Sequence, residues 1–163
     1  MSTLNSHSDW WTPYELKNIL SNEFSFCLDA AADEKNKICD DYISEELDAL
    51  KTPWIGSTIW CNPPYGKGHS HTIKEFVKRG YEQHIEQKNT VVMLLPAYTD
   101  PKYWKDYCVK AHEIRFLVGR LQFLGAGKKK MSARFPSAIV IWKYIQGQHY
   151  GKAPNIWHWD WKV

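Results

Sequence analysis

The sequence predicts a three-layer α/β fold built on a mostly parallel sheet. Three observations carry that expectation. Strand-like apolar runs alternate with segments of helical periodicity. One run, "NTVVMLLPAY" at 89–98, is almost continuously apolar, as a strand buried on both faces must be. The length, 163 residues with 44% hydrophobic content, suits one core rather than two. The expected organisation is a loose polar N-terminus at 1–9 and a single domain over 10–163.

The first expected element is a helix. In Thr12-Pro13-Tyr14-Glu15, Thr12 is placed as N-cap, Glu15 as its capping-box partner, and Pro13 where a missing N–H costs nothing. Leu16, Ile19 and Leu20 mark its apolar face. "FSFCLDAAA" reads as a strand ending at Asp29 and small residues. Residues 33–44 are polar and irregular, and "EELDALKTPW" holds one helical turn before Pro53. "STIWCN" is a second strand. Ile73, Phe76, Val77, Tyr81 and Ile85 recur at helical spacing, which predicts an amphipathic helix over 72–86. "PKYWKDYCVKA" reads as helix and "EIRFLVG" as strand. "RLQFLGAGKKKMSARF" reads as a Gly-rich basic loop, and "SAIVIWKY" as a last buried strand. The run 113–142 is expected to add an antiparallel pair at one edge, and the tail "IWHWDWKV" an edge strand or an arm.

Composition narrows the function classes. A net charge of +3 is compatible with a polyanion partner without requiring one. Nine Trp are too many for one small core, so some belong at a surface or groove. Cys27, Cys39, Cys61 and Cys108 lack CxxC spacing, and Cys27 and Cys61 fall inside apolar runs, so buried free thiols are expected. His69 and His71 form a lone His-x-His that no Cys or carboxylate pattern completes, so no metal site is expected. No apolar run reaches 18 residues, which argues against a membrane span.

Ligands of open α/β sheets sit at the carboxyl ends of strands. Two such ends are unusual: Asp29-Ala30-Ala31-Ala32 and Asn62-Pro63-Pro64-Tyr65, with Asp48 shortly before the second strand. The Asn62 amide oxygen and the Pro63 carbonyl are acceptors, the two prolines stiffen the backbone, and Tyr65 brings a flat ring. Two fixed acceptors beside a ring suit an exocyclic amino group on an aromatic base, because they orient the nitrogen and stabilise charge developing on it.

The ordered series "WWTPYELKNIL", "FCLDAAADEKN", "DALKTPW", "IWCNPPYG", "VVMLLPAYTD", "IRFLVGRLQF" and "FPSAIVIW" resembles the phage-type DNA N6-adenine methyltransferases, the small Dam-like family, over about residues 10–143. The resemblance implies a Rossmann-like methyltransferase fold and S-adenosyl-L-methionine as cofactor. It further implies double-stranded DNA as partner, the cytoplasm of a bacterial host or phage-infected cell, and protection against restriction. It assigns cofactor contacts to Trp11, Thr12 and Pro13, to Asp29 and Ala30, and to Asp48 and Leu50. For Thr12 a plain cap is the alternative, for Asp29 a cap of the next segment, and for Asp48 a surface charge. Asp40 or Asp41 is a weaker candidate for the ribose. Asn62, Pro63, Pro64 and Tyr65 become the catalytic turn, with Tyr65 stacking on the base. Larger relatives carry glycines where Ala30–Ala32 stand here. Lys67, Lys128, Lys129, Lys130 and Arg134 are candidates for DNA phosphates, against the alternative of a solvated basic loop. Arg120 receives no role beyond an internal ion pair. The expected state is a monomer or weak dimer. The competing functions are amino methylation of cytosine N4, RNA adenine or protein glutamine, and a non-catalytic relative.

Overall fold

A computed structural model describes residues 10–65, 69–125, 129–147 and 153–163. Six strands form the main sheet: β1 (Leu28–Asp29), β2 (Thr58–Cys61), β3 (Thr90–Pro96), β4 (Glu113–Leu117), β7 (Ser137–Trp142) and β8 (Asn155–Trp159). A separate hairpin joins β5 (Gln122–Leu124) to β6 (Lys130–Ser132). The order across the main sheet is β1-β2-β3-β7-β4-β8. β1, β2 and β3 are mutually parallel, β7 runs against both β3 and β4, and β8 lies parallel to β4. The antiparallel element therefore lies towards one side, and the tail forms the edge strand there.

Alternation along the strands creates the three layers. Val91, Met93 and Leu95 face a cluster with Phe76 and Val77 of helix α2 (Ile73–Gln87) and with Tyr103 and Trp104 of helix α3 (Lys102–Asp106). Val92 and Leu94 point the other way, onto Leu16 and Leu20 of helix α1 (Tyr14–Phe24) and onto Phe123. β3 thus has no polar face, and each fully buried side chain contributes roughly 1.5–3 kcal/mol. The predicted helix over 72–86 is present, and its start is the reciprocal Thr72/Glu75 capping box.

Four expectations need correction. Helix α1 begins at Tyr14 with Pro13 in the N-cap slot and no side-chain cap, so Thr12 does not cap it. β1 is only two residues long, and Cys27, just before it, is exposed rather than buried. The helix expected over 101–111 breaks at Tyr107 into α3 and a 3₁₀ turn, Cys108–Lys110. The basic "loop" contains the β5–β6 hairpin, in which Phe123 is buried opposite Met131.

Gly56 turns the chain into β2 with φ +139°, where an added Cβ would stand 2.9 Å from the Cβ of Cys27. Gly56→Ala is expected to destabilise the fold by about 1–3 kcal/mol, read as a lower midpoint in urea at unchanged slope.

Candidate active site

Because β1 and β2 are parallel neighbours, their carboxyl ends share one rim. The ladder continues past β1 through the Ala30 N–H, which donates to the Trp60 carbonyl at 2.8 Å. Asp29 is 2% exposed, and its carboxylate accepts from the N–H groups of Ala31 (3.2 Å) and Ile38 (3.0 Å). It therefore holds the 30–38 loop back against the strand. Ala30 and Ala31 begin that loop and line a small cavity of about 20 Å³ with Asp48, Ala49, Pro64, His71 and Phe76.

Asp48 stands in left-handed backbone (φ 57°). Its carboxylate accepts from the Leu50 N–H at 3.0 Å and His71 Nε2 at 2.9 Å, and pairs with Lys51 at 3.0 Å. The Lys51 bond is the main reason its carboxyl stays below the usual range, offsetting the smaller opposing effect of burial; the Leu50 and His71 bonds add to it. Ser44 and Glu45 also line this cavity, and neither stood out in the sequence, while His71 was noted there only as half of a His-x-His pair. They come from irregular segments whose shape only the folded chain reveals.

At the end of β2, Asn62 Nδ2 donates to the Trp10 carbonyl (2.9 Å) and to the Thr12 hydroxyl (3.3 Å). Asn62 Oδ1 is buried and has no hydrogen-bond partner among the described residues. Pro63 and Pro64 are buried beside it. Tyr65 is 7% exposed, its hydroxyl donates to the Leu94 carbonyl (2.7 Å), and its ring lies against Phe123 and Phe135 at 6.0 and 5.5 Å. It is packed into the interior rather than being the open stacking plate that the sequence suggested. An aromatic surface towards solvent is instead offered by Tyr98, 6.0 Å from Phe135.

The cavity thus gathers Ala30, Asp48 and the Pro64 side of the Asn62–Tyr65 turn. Trp11, Thr12, Pro13 and Leu50 are not among its lining residues. The Trp11 backbone pairs with Leu124, and Pro13 borders a separate groove with Trp161 and Gln122. Asp40 and Asp41 are exposed and likewise outside the lining. Lys129, Lys130 and Arg134 are exposed on and beside β6, while Lys67 and Lys128 lie outside the described residues. Among the described residues no group of three or more His, Cys, Asp or Glu is placed to hold a metal ion. No helix among them is long and apolar enough to cross a membrane.

Burial pushes the Asp29 carboxyl up to about 7, against the N–H bonds from Ala31 and Ile38 that favour its charge. The unfolded value is about 3.9, so the folded state binds this proton more tightly. Stability is therefore expected to fall as pH rises from about 4 to about 7, and to level off above that. Asp29→Asn should remove this limb of the stability–pH curve, measured by urea titrations at a series of pH values.

Five strands running one way, one against them, helices on both faces and a cavity on the carboxyl rim define the S-adenosylmethionine-dependent methyltransferase class of α/β fold. In agreement, a solved class I S-adenosylmethionine-dependent methyltransferase structure from Listeria monocytogenes superposes with a TM-score of 0.58 over 91% of this chain and 65% of that one, at 13% identity. The profile of the family described as DNA N-6-adenine-methyltransferase (Dam) matches residues 1–153, and the chain belongs to that family. It is 32% identical over 149 residues to the DNA N-6-adenine-methyltransferase of Haemophilus phage HP1, covering 87% of this chain and 83% of that protein. With the protein of the same description from Escherichia phage T1 it shares 36% identity over 107 residues, 64% of this chain, and it spans 42% of that relative's length.

Proposed function

We propose that this chain transfers a methyl group from S-adenosyl-L-methionine to the N6 amino group of adenine in double-stranded DNA. The observation that carries the reading is the buried Asn62 Oδ1, an acceptor with no partner among the described residues, beside two prolines. An unsatisfied buried acceptor costs roughly 1–3 kcal/mol, a cost that an arriving amino group removes. Family membership and the relatives' descriptions support adenine in DNA as the bearer of that group.

The residues lining the small cavity beside the turn suit the cofactor by their chemistry. Ala30 and Ala31 leave room for close approach, Phe76 and Pro64 give an apolar wall, and Asp48 offers a carboxylate. Asp48 would accept from the adenine amino group of the cofactor, in exchange for part of its present bonding to His71 and Lys51. When bound, S-adenosyl-L-methionine supplies a sulfonium-activated methyl group. The chain's own residues prepare the acceptor nitrogen. The target base must leave the duplex, at a cost of a few kcal/mol. Exposed Lys129, Lys130 and Arg134 offset part of that cost through phosphate contacts. Asn62 Oδ1 and the Pro63 carbonyl then accept from N6, draw its lone pair out of the ring and stabilise the charge developing there. Pro63 and Pro64 hold both acceptors still, so little is lost to reorganisation.

Transfer of tritiated methyl groups tests the reading. Label is expected on the adenine of unmethylated duplex DNA. Label confined to RNA, to cytosine or to protein would overturn the substrate assignment.

A further inference from the structure

We infer that the N-terminal arm Trp10–Thr12 is a positioning element for Asn62, and that it makes the catalytic turn of this chain selective for an amide over a carboxylate at position 62. The inference rests on the reading of Asn62 as the acceptor for the target amino group.

A backbone carbonyl can only accept. The atom of Asn62 that meets the Trp10 carbonyl at 2.9 Å must therefore be the NH₂ nitrogen, which also donates to the Thr12 hydroxyl at 3.3 Å. The arm thereby fixes which end of the amide faces which way, and leaves Oδ1 as the buried atom without a partner among the described residues. The arm itself is tied down. The Trp11 N–H donates to the Leu124 carbonyl at 2.9 Å and the Leu124 N–H to the Trp11 carbonyl at 3.0 Å. The Trp10 ring packs edge-on to Phe123 at 5.3 Å and lies 6.3 Å from Tyr65. Strand β5 therefore holds the arm, and the arm holds the amide.

A carboxylate at position 62 would set an acceptor oxygen against the Trp10 carbonyl, where neither atom can donate. Protonation of that carboxyl would restore the pattern: its O–H would donate to Trp10, and the other oxygen would remain an acceptor. Thr12 accordingly acts through Asn62 rather than on the cofactor.

Three variants and one spectrum test this. Asn62→Asp is expected to turn over slowly at pH 8, and its rate relative to the native protein should rise at least about fivefold on going to pH 6. A ratio that is constant with pH would overturn the selectivity. Thr12→Val should lower kcat about fivefold, the effect of one hydrogen bond, with the Kd for S-adenosyl-L-methionine measured by calorimetry unchanged. Thr12→Ser should recover the rate. A raised cofactor Kd with kcat intact would instead make Thr12 a cofactor contact and refute the positioning role. The side-chain NH₂ signals of Asn62 in a ¹⁵N-labelled sample, assigned by their loss in Asn62→Ala, give a readout independent of turnover. They should be protected from solvent exchange and should shift in Thr12→Val. Signals that exchange freely and ignore Thr12→Val would sink the inference even in an active enzyme. Protected, Thr12-sensitive signals in a protein that methylates no DNA would leave the positioning intact and refute the functional reading alone.

Discussion

Asn62→Ala is expected to lower methyl transfer to DNA by about 100- to 1,000-fold, the effect of deleting one fixed acceptor from a charge-stabilising site. The loss should fall on kcat, because Oδ1 gains its full value only as charge develops on the target nitrogen. The fold should survive. Asn62 is half-buried, and its removal leaves only the Trp10 carbonyl and Thr12 hydroxyl to be resolvated. Single-turnover rates alongside urea midpoints separate the two effects. A variant with native kcat would remove Asn62 from the chemistry.

Arg115→Ala carries the largest expected loss of stability. Arg115 is 6% exposed, yet it donates twice to Glu23, at 2.7 and 2.5 Å, and from Nε to Glu113 at 2.7 Å. Its guanidinium lies over the adjacent rings of Trp157 and Trp159, at 5.4 and 5.0 Å, with Phe24 at 5.7 Å. One side chain thus fastens helix α1 and edge strand β8 to β4. Breaking a buried pair costs about 3–5 kcal/mol. The Glu23 side chain is 40% exposed and rehydrates easily, so about 2–3 kcal/mol is expected here. Arg115→Lys should recover only part of this, since an ammonium lacks the planar fork that serves both carboxylates and lies on the indoles. Equilibrium urea unfolding gives the values, and an unchanged midpoint in Arg115→Ala would refute the role.

Arg115 also marks where sequence reading stops. A charged residue in the alternating run "EIRFLVG" reads as the polar side of a strand, while its partners lie far away in α1 and in the tail. Burial driven by long-range partners leaves no local trace. The same holds for β5 and β6, three residues each, which are too short for period-2 counting and are set by the packing of Phe123 under Trp10 and Tyr65. What was legible was periodic or rigid: the two-sided burial of "TVVMLLP", the Phe76–Val77 part of the α2 stripe (its Ile85 is exposed), and the stop of β2 at Asn62-Pro63. The residue types of the Asn62–Tyr65 turn were readable, but not their orientation. Thr12 has the residue type of a helix cap, yet its hydroxyl is taken by Asn62, because Pro13 fills the cap position. Tyr65 has the residue type of a stacking ring, yet its hydroxyl is held by the Leu94 carbonyl across the sheet.

Expression of the protein in a host lacking DNA methylation, followed by nuclease digestion and mass spectrometry of the nucleosides, tests the central claim most directly. The account predicts N6-methyldeoxyadenosine in DNA from cells carrying the native chain, and its near-absence with Asn62→Ala. Unmodified adenine from cells containing folded native protein, or methylation found only on another base, would contradict it.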